Sequence, residues 1–125
     1  REGLVVNRGF DGNLVIYTRT EWNKILSQLS RLNQFQAKNR DFVRKFTSGA
    51  TELTLDSAGR VLLPKNLLDY AQVGSELMLV CNLSKVELWS KAKHEERMNA
   101  ISEEDFSDLA ESVMGDFDLE GGFNV

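Results

Sequence analysis

Leu53-Thr54-Leu55-Asp56-Ser57-Ala58-Gly59-Arg60-Val61-Leu62-Leu63-Pro64, residues 53–64, sets one fixed cation on a turn between two apolar runs. Thr54 and Leu55 favour extended backbone, and Val61 to Leu63 are apolar enough for a strand buried on both faces. Asp followed closely by a Gly that tolerates positive φ marks a tight reversal. The stretch predicts a hairpin whose tip presents Arg60, with Pro64 ending the second strand. A second reading of Arg60 stays open, a salt bridge to Asp56 that closes the turn.

Outward from this turn, a degenerate internal repeat organises the chain. Leu14-Val15-Ile16-Tyr17-Thr18-Arg19-Thr20-Glu21-Trp22 and Val86-Glu87-Leu88-Trp89-Ser90-Lys91-Ala92-Lys93-His94 share one plan: a short strand ending in an aromatic, a hydroxyl residue, then a helix. Position 14 maps to 86, a displacement of 72. Each copy follows another strand, Leu4-Val5-Val6 in the first case and Leu77-Met78-Leu79-Val80 in the second, and Asp11-Gly12-Asn13 supplies the first intervening turn.

Thr18 with Glu21 three places on fits a capping box, and Trp22, Ile25, Leu26, Leu29 and Leu32 recur at helical spacing, which predicts a buried face. Ser90 is the matching cap of a second helix running to about Ala100. A middle helix from about Ala37 to Ser48 is expected to turn Phe35, Phe42, Val43 and Phe46 inward, to show Lys38, Arg40, Arg44 and Lys45 outward, and to stop at Gly49. A short helix from Lys65 to about Gln72 follows Pro64 and closes at Gly74. Phe106, Leu109, Ala110, Val113 and Met114 predict a last amphipathic helix, and the acidic run from Asp116 to Val125 reads as disordered.

Thr51-Glu52 together with the opening stretch resembles the second signature of the MraZ family of bacterial transcriptional regulators, relatives of AbrB. Asn7-Arg8-Gly9-Phe10, Leu14 to Tyr17, Asn39-Arg40-Asp41-Phe42-Val43-Arg44 and Val86-Glu87-Leu88-Trp89 follow in that family's order and spacing, so the resemblance runs from about Leu4 to Met114. It implies an α+β fold with a swapped-hairpin β-barrel core built from two pseudo-repeated modules with packing helices. The modules fall at residues 1–50 and 51–101, and residues 102–125 form a C-terminal helix and acidic tail. It also implies a DNA-binding protein that assembles into homo-oligomeric rings on double-stranded promoter DNA of the cell-wall and division gene cluster. In that family a first D-x-x-G-R hairpin pairs with the second. Displacing Asp56 to Arg60 back by 72 lands before Arg1, and no initiator Met is present, so further upstream residues are expected in the natural protein.

Charge bears on the same question. The chain of 125 residues has net charge −4, but residues 1–68 carry 11 Lys/Arg and 6 Asp/Glu, hence +5. Residues 69–125 carry 4 and 13, hence −9, so a basic half can face phosphates while an acidic, solvating end stays away. Hydrophobic residues make up 42% and charged ones 27%, enough for one core, and no apolar run approaches the roughly 20 residues of a membrane span. The lone Cys81, inside the apolar run Leu77 to Leu83, reads as a buried free thiol in the cytoplasm, and the family resemblance implies association with the nucleoid.

DNA recognition needs cations for phosphates and a side chain that reaches base edges, and Arg serves both. Arg60 is the first candidate, with the backbone N–H groups of Ser57, Ala58 and Gly59 approaching a phosphate and Lys65 as auxiliary. Asp56 shapes the turn rather than touching DNA. Arg40, Arg44 and Lys45 form a second patch whose alternative is a merely solvated helix face. No catalytic or metal site, cofactor or small-molecule substrate is expected. The one histidine, His94, has Glu95 and Glu96 beside it rather than on its own face, Gly115 and Gly121-Gly122 do not form a phosphate loop, and Trp22 and Trp89 read as core or interface aromatics rather than base-stacking ones. The rival from another class is a non-catalytic scaffold ring in which the hairpin arginine serves subunit contacts.

Overall fold

The computed structural model describes residues 3–115 and is α+β. Strands β1 (Leu4–Arg8), β2 (Leu14–Thr18), β3 (Thr51–Leu53), β4 (Leu77–Asn82) and β5 (Lys85–Ser90) form one antiparallel sheet in the order β3-β1-β2-β5-β4. Helices α1 (Arg19–Leu29), α2 (Ala37–Thr47) and α3 (Lys65–Tyr70) accompany it, and α4 (Lys91–Asn99) and α5 (Glu103–Met114) follow. Among the described residues, those up to Lys91 make one compact unit and those from Ala92 another.

Strand alternation gives the sheet two apolar faces. Val6, Leu14, Leu53 and Leu88 meet Leu67 of α3 and Ala71 just after it on one side, while Val5, Val15 and Tyr17 meet Trp22 of α1 on the other, with Phe46 of α2 packed alongside. Leu14 and Leu67 are fully buried, each contributing about 1.5–3 kcal/mol. The N-cap half of the expected capping box at α1 is present: Thr18 Oγ1 accepts from the Glu21 backbone N–H at 3.2 Å, while Glu21 Oε1 accepts from Lys24 Nζ at 3.2 Å. In the second unit the Ser102 hydroxyl caps α5 by accepting from Asp105 N–H at 3.0 Å, and the three acids of its first turn suit the positive helix end.

The repeat is visible in the register. β2 and β5 pair Leu14 with Leu88, Val15 with Glu87 and Ile16 with Val86. Under the displacement of 72, Val15 and Glu87 are equivalent positions and stand opposite each other, while Leu14 faces the equivalent of Ile16. The ladder thus carries a local twofold axis. The hairpins β1–β2 and β4–β5 extend from it in opposite directions, the first closed by residues 9–13, the second by Leu83 and Ser84 alone.

Several sequence expectations need correction. Thr54, Leu55 and Val61 to Leu63 are not in strands; only Thr51–Leu53 is, pairing with β1. Leu55, Val61 and Leu63 are half-buried around an exposed Leu62, so the arm keeps strand-like alternation without a ladder partner among the described residues, and Pro64 precedes α3 rather than ending a strand. The turn at the end of α3 is made by Gln72 at φ 56°, not Gly74: Val73 N–H donates to Leu68 O (3.0 Å) and Gln72 N–H to Asp69 O (3.1 Å), a Schellman motif. Gly49 does follow α2, but for room rather than φ, since a Cβ there would lie 2.8 Å from Arg8 Nε and 3.2 Å from Asn7 Oδ1.

On α1 only Trp22 is buried, and Leu26 is exposed; Phe35, in the loop before α2, is almost fully exposed, and Phe42 is about half exposed because α2 touches the core through Phe46. Cys81 is exposed, on the outer edge strand β4, since alternation in Leu77–Asn82 turns it away from the half-buried positions. The stretch expected to be disordered, from Asp116, lies outside the described residues.

Candidate nucleic-acid interface

The arginine-bearing turn begins three residues beyond β3. Asp56 organises it as a multiple acceptor: its Oδ1 takes the backbone N–H groups of Ala58 (2.9 Å) and Arg60 (2.8 Å), and its carbonyl takes Gly59 N–H at 3.0 Å. Asp56 N–H returns to Arg60 O at 2.8 Å, closing the loop. Gly59 sits at φ +79°, where an L side chain is strained, although nothing lies within 4 Å of where its Cβ would be. The backbone N–H of Arg60 first, then that of Ala58 and the Arg60 guanidinium, hold the Asp56 carboxyl below the usual aspartate range against a smaller opposing effect of desolvation.

Arg60 Nε donates to Asp56 Oδ2 at 3.2 Å, yet its side chain is 80% exposed. Both readings of this arginine therefore coexist in geometry: one nitrogen leans on Asp56, and the rest of the guanidinium faces water. So exposed a pair is worth little, and a phosphate competes with it readily. Lys65, at the start of α3, pairs with Asp69 one turn on at 3.0 Å and is also mostly exposed. The N–H groups of Ala58 and Gly59 are already engaged inside the turn, which leaves that of Ser57 as the one unbonded donor of the three.

The second basic patch divides. Arg44 pairs with Asp41 at 3.2 Å, and Arg40 donates to Gln34 O at 2.8 Å. Lys45 has no carboxylate partner among the described residues and faces a hollow beside β1 instead. Trp22 and Trp89 are core residues; Trp22 stacks on Phe46 with centroids 5.9 Å apart, and Trp89 Nε1 donates to Glu87 Oε1 at 3.0 Å.

Sequence reasoning missed Asn7. It is fully buried, its Nδ2 donates to Phe46 O at 2.8 Å, and its Oδ1 accepts Arg8 N–H at 2.9 Å, so one amide ties the end of α2 to β1. An asparagine inside an otherwise apolar strand was the available signal. The bridge from Arg19 to Glu52, which links the start of α1 to β3, had no local signal at all.

Fold and site together define a class: an α+β protein with a five-stranded antiparallel sheet, twofold about its central ladder, carrying an exposed arginine on a preformed turn. Residues 1–45 and 46–117 match the family described as "MraZ protein, putative antitoxin-like". The Transcriptional regulator MraZ of Christiangramia forsetii is 39% identical over 122 residues, covering 97% of this chain and 78% of that protein. Those of Flavobacterium psychrophilum (38% over 116 residues, 92% of this chain, 73% of that protein) and Desulforamulus reducens (42% over 118 residues, 91% and 82%) carry the same name. The chain belongs to the MraZ family.

Proposed function

We propose that this chain is a transcription regulator that binds double-stranded promoter DNA in a sequence-specific way through the Asp56–Arg60 turn. Arg60 is the residue that enters the groove, Ser57 N–H and Lys65 contact phosphate, and Asp56 with Gly59 keeps the turn in shape. The observation that carries this reading is the Arg60 side chain, exposed on a turn whose backbone is fixed by four hydrogen bonds within the loop. A preset turn loses little entropy on binding. The names of the relatives support a regulatory role.

One arginine per arm gives modest affinity, so several arms on a ring-shaped homo-oligomer, spaced to match repeated sites, are needed to raise it by about 10²–10⁴. The promoter served is that of the cell-division and cell-wall gene cluster, placing the protein in the cytoplasm on nucleoid DNA. The local twofold axis favours a swapped-hairpin core of two modules: β3, which opens residues 51–101, pairs with β1 of residues 1–50. By the same symmetry the outer edge of β4 is where a second arm belongs.

The test is fluorescence anisotropy on direct-repeat promoter DNA, with light scattering alongside. Arg60→Ala is expected to abolish specific binding while particle size is retained, and affinity should fall with salt at a slope near ~0.9 per contacted phosphate. The scaffold reading is favoured by one observation, the open β4 edge with Leu77 and Leu79 exposed. It wins if Arg60→Ala leaves low-salt affinity unchanged and dissociates the oligomer.

A further inference from the structure

Away from the arginine turn, Arg8, Phe10, Phe42, Lys45, Phe46 and Tyr70 enclose a hollow of about 260 Å³ against Gly9. Its wall is aromatic. Phe10 and Phe42 each stack on Phe46 with centroids 5.7 Å apart, while Phe10 remains 79% exposed and Phe42 45%. A phenylalanine that is stacked on a neighbour and still this exposed presents a ring-sized apolar surface.

The mouth is cationic, and one cation is held in place. The Arg8 guanidinium lies over the Tyr70 ring, 5.4 Å from its centroid, and donates to the Ser48 hydroxyl. Gly49 leaves the room it crosses, buried Asn7 fixes its backbone N–H, and Tyr70 OH donates to Gly9 O at 3.3 Å, which fixes the ring beneath it. Neither Arg8 nor Lys45 meets a carboxylate among the described residues, as is also true of Arg31, Lys38, Arg40 and Lys85, but only Arg8 and Lys45 line this hollow. Two uncompensated cations above an aromatic floor match an anion carried on a flat ring.

We infer that this hollow binds a compact aromatic anion, one or two fused rings bearing a carboxylate or phosphate, with the ring on Phe10 and Phe42 and the anion between Arg8 and Lys45. Its small volume sets the size limit, below the roughly 300–1,000 Å³ of drug-sized pockets. The site shares no residue with the proposed DNA-binding turn and stands independently of it.

Isothermal titration of the full chain at low salt with 1-naphthoate and with adenosine 5′-monophosphate tests this. Saturable binding of at least one probe is expected, weakened about tenfold or more by Lys45→Glu and by Lys45→Met. The neutral 1-naphthalenemethanol and ring-free acetate should bind at least tenfold more weakly than the preferred probe. Phe42→Ala should act like the Lys45 variants, and Arg60→Ala should bind as the parent does. Thermal melting establishes that each variant is folded. The proposal is overturned if neither probe saturates, if folded Lys45→Glu binds as tightly as the parent, or if the neutral ring binds as well as the anion.

Discussion

Val15 and Glu87 face each other across the β2–β5 ladder, and they are the same position in two copies of one strand–helix plan. A strand that pairs with its own repeat puts a twofold axis between the two equivalent residues, so a single antiparallel register fixes where both hairpins go. The two partners are nevertheless unlike. Val15 packs into the core with Tyr17 and Trp22, whereas Glu87 accepts from Trp89 Nε1 and, through its other oxygen, from Asn82 Nδ2 at 3.3 Å.

Glu87 also acts on Tyr17. Burial first, and then the Glu87 carboxylate, raise the Tyr17 phenol above its usual value of 10.0. A raised pKa for a group that is neutral when protonated means that the unfolded chain loses its proton first as pH increases. Stability is therefore full below about pH 10 and falls above it. Urea unfolding midpoints measured from pH 8 to 11 are expected to drop at the alkaline end, and Tyr17→Phe should flatten that drop. An unchanged alkaline slope in the variant would assign it to another group.

The strand–helix repeat, the N-cap at Thr18 and the Asp-Gly turn were legible because each is written in residues adjacent in sequence. The arm was misread as a ladder because Thr54, Leu55 and Val61 to Leu63 have strand composition, while a ladder needs a partner, and sequence composition names none. Phe35 and Phe42 were expected inside because helical spacing marks an apolar face without saying what covers it. Asn7 and the Arg19–Glu52 bridge depend on contacts 39 and 33 residues apart, which no local pattern encodes.

Asn7 offers the sharpest stability test. Replacing it by Ala removes the donor to Phe46 O and the acceptor for Arg8 N–H in a fully buried place. Leaving buried polar groups unpaired costs about 1–3 kcal/mol, so Asn7→Ala should lower the unfolding free energy by that amount. Asn7→Asp removes the donor alone and sets a carboxylate against the Phe46 carbonyl, so it should be at least as damaging at pH 7. Chemical denaturation of the three proteins checks the order, and a neutral Asn7→Ala would refute the role given to this amide.

Gln72 carries a cost that glycine removes. It holds the left-handed position of a Schellman motif at φ 56°, where an L side chain costs about 1–2 kcal/mol and Gly does not. Its side chain is exposed, so nothing else is lost. Gln72→Gly is expected to stabilise by about 0.5–1 kcal/mol after the extra entropy of glycine in the unfolded chain is subtracted. Gly74→Ala should also stabilise, by about 0.4–1 kcal/mol, because no atom lies within 4 Å of the added Cβ, its φ is not left-handed and the unfolded chain loses freedom. A melting temperature that falls for either variant would overturn this account.

Asp56 and Gly59 separate the shape of the arginine turn from its charge. The depressed Asp56 pKa means that the turn is held while the carboxylate is ionised and loosens as pH falls through the folded-state value, below the ordinary 3.8. At neutral pH, Asp56→Ala removes the acceptor for two backbone N–H groups and also frees Arg60 from its only carboxylate partner among the described residues. If charge alone governed binding to promoter DNA, losing an acid beside Arg60 would tighten it; if the preset turn matters, affinity falls. Gly59→Ala isolates the second effect, since the added methyl meets nothing within 4 Å and alters no charge, leaving only backbone strain of about 1–2 kcal/mol in the turn. Both variants are expected to weaken DNA binding, Gly59→Ala by about tenfold, and the strain in Gly59→Ala should also lower its melting temperature by a few degrees. Anisotropy titrations in which Asp56→Ala binds more tightly and Gly59→Ala binds unchanged would show that Arg60 acts as a bare charge, with no contribution from the turn that carries it.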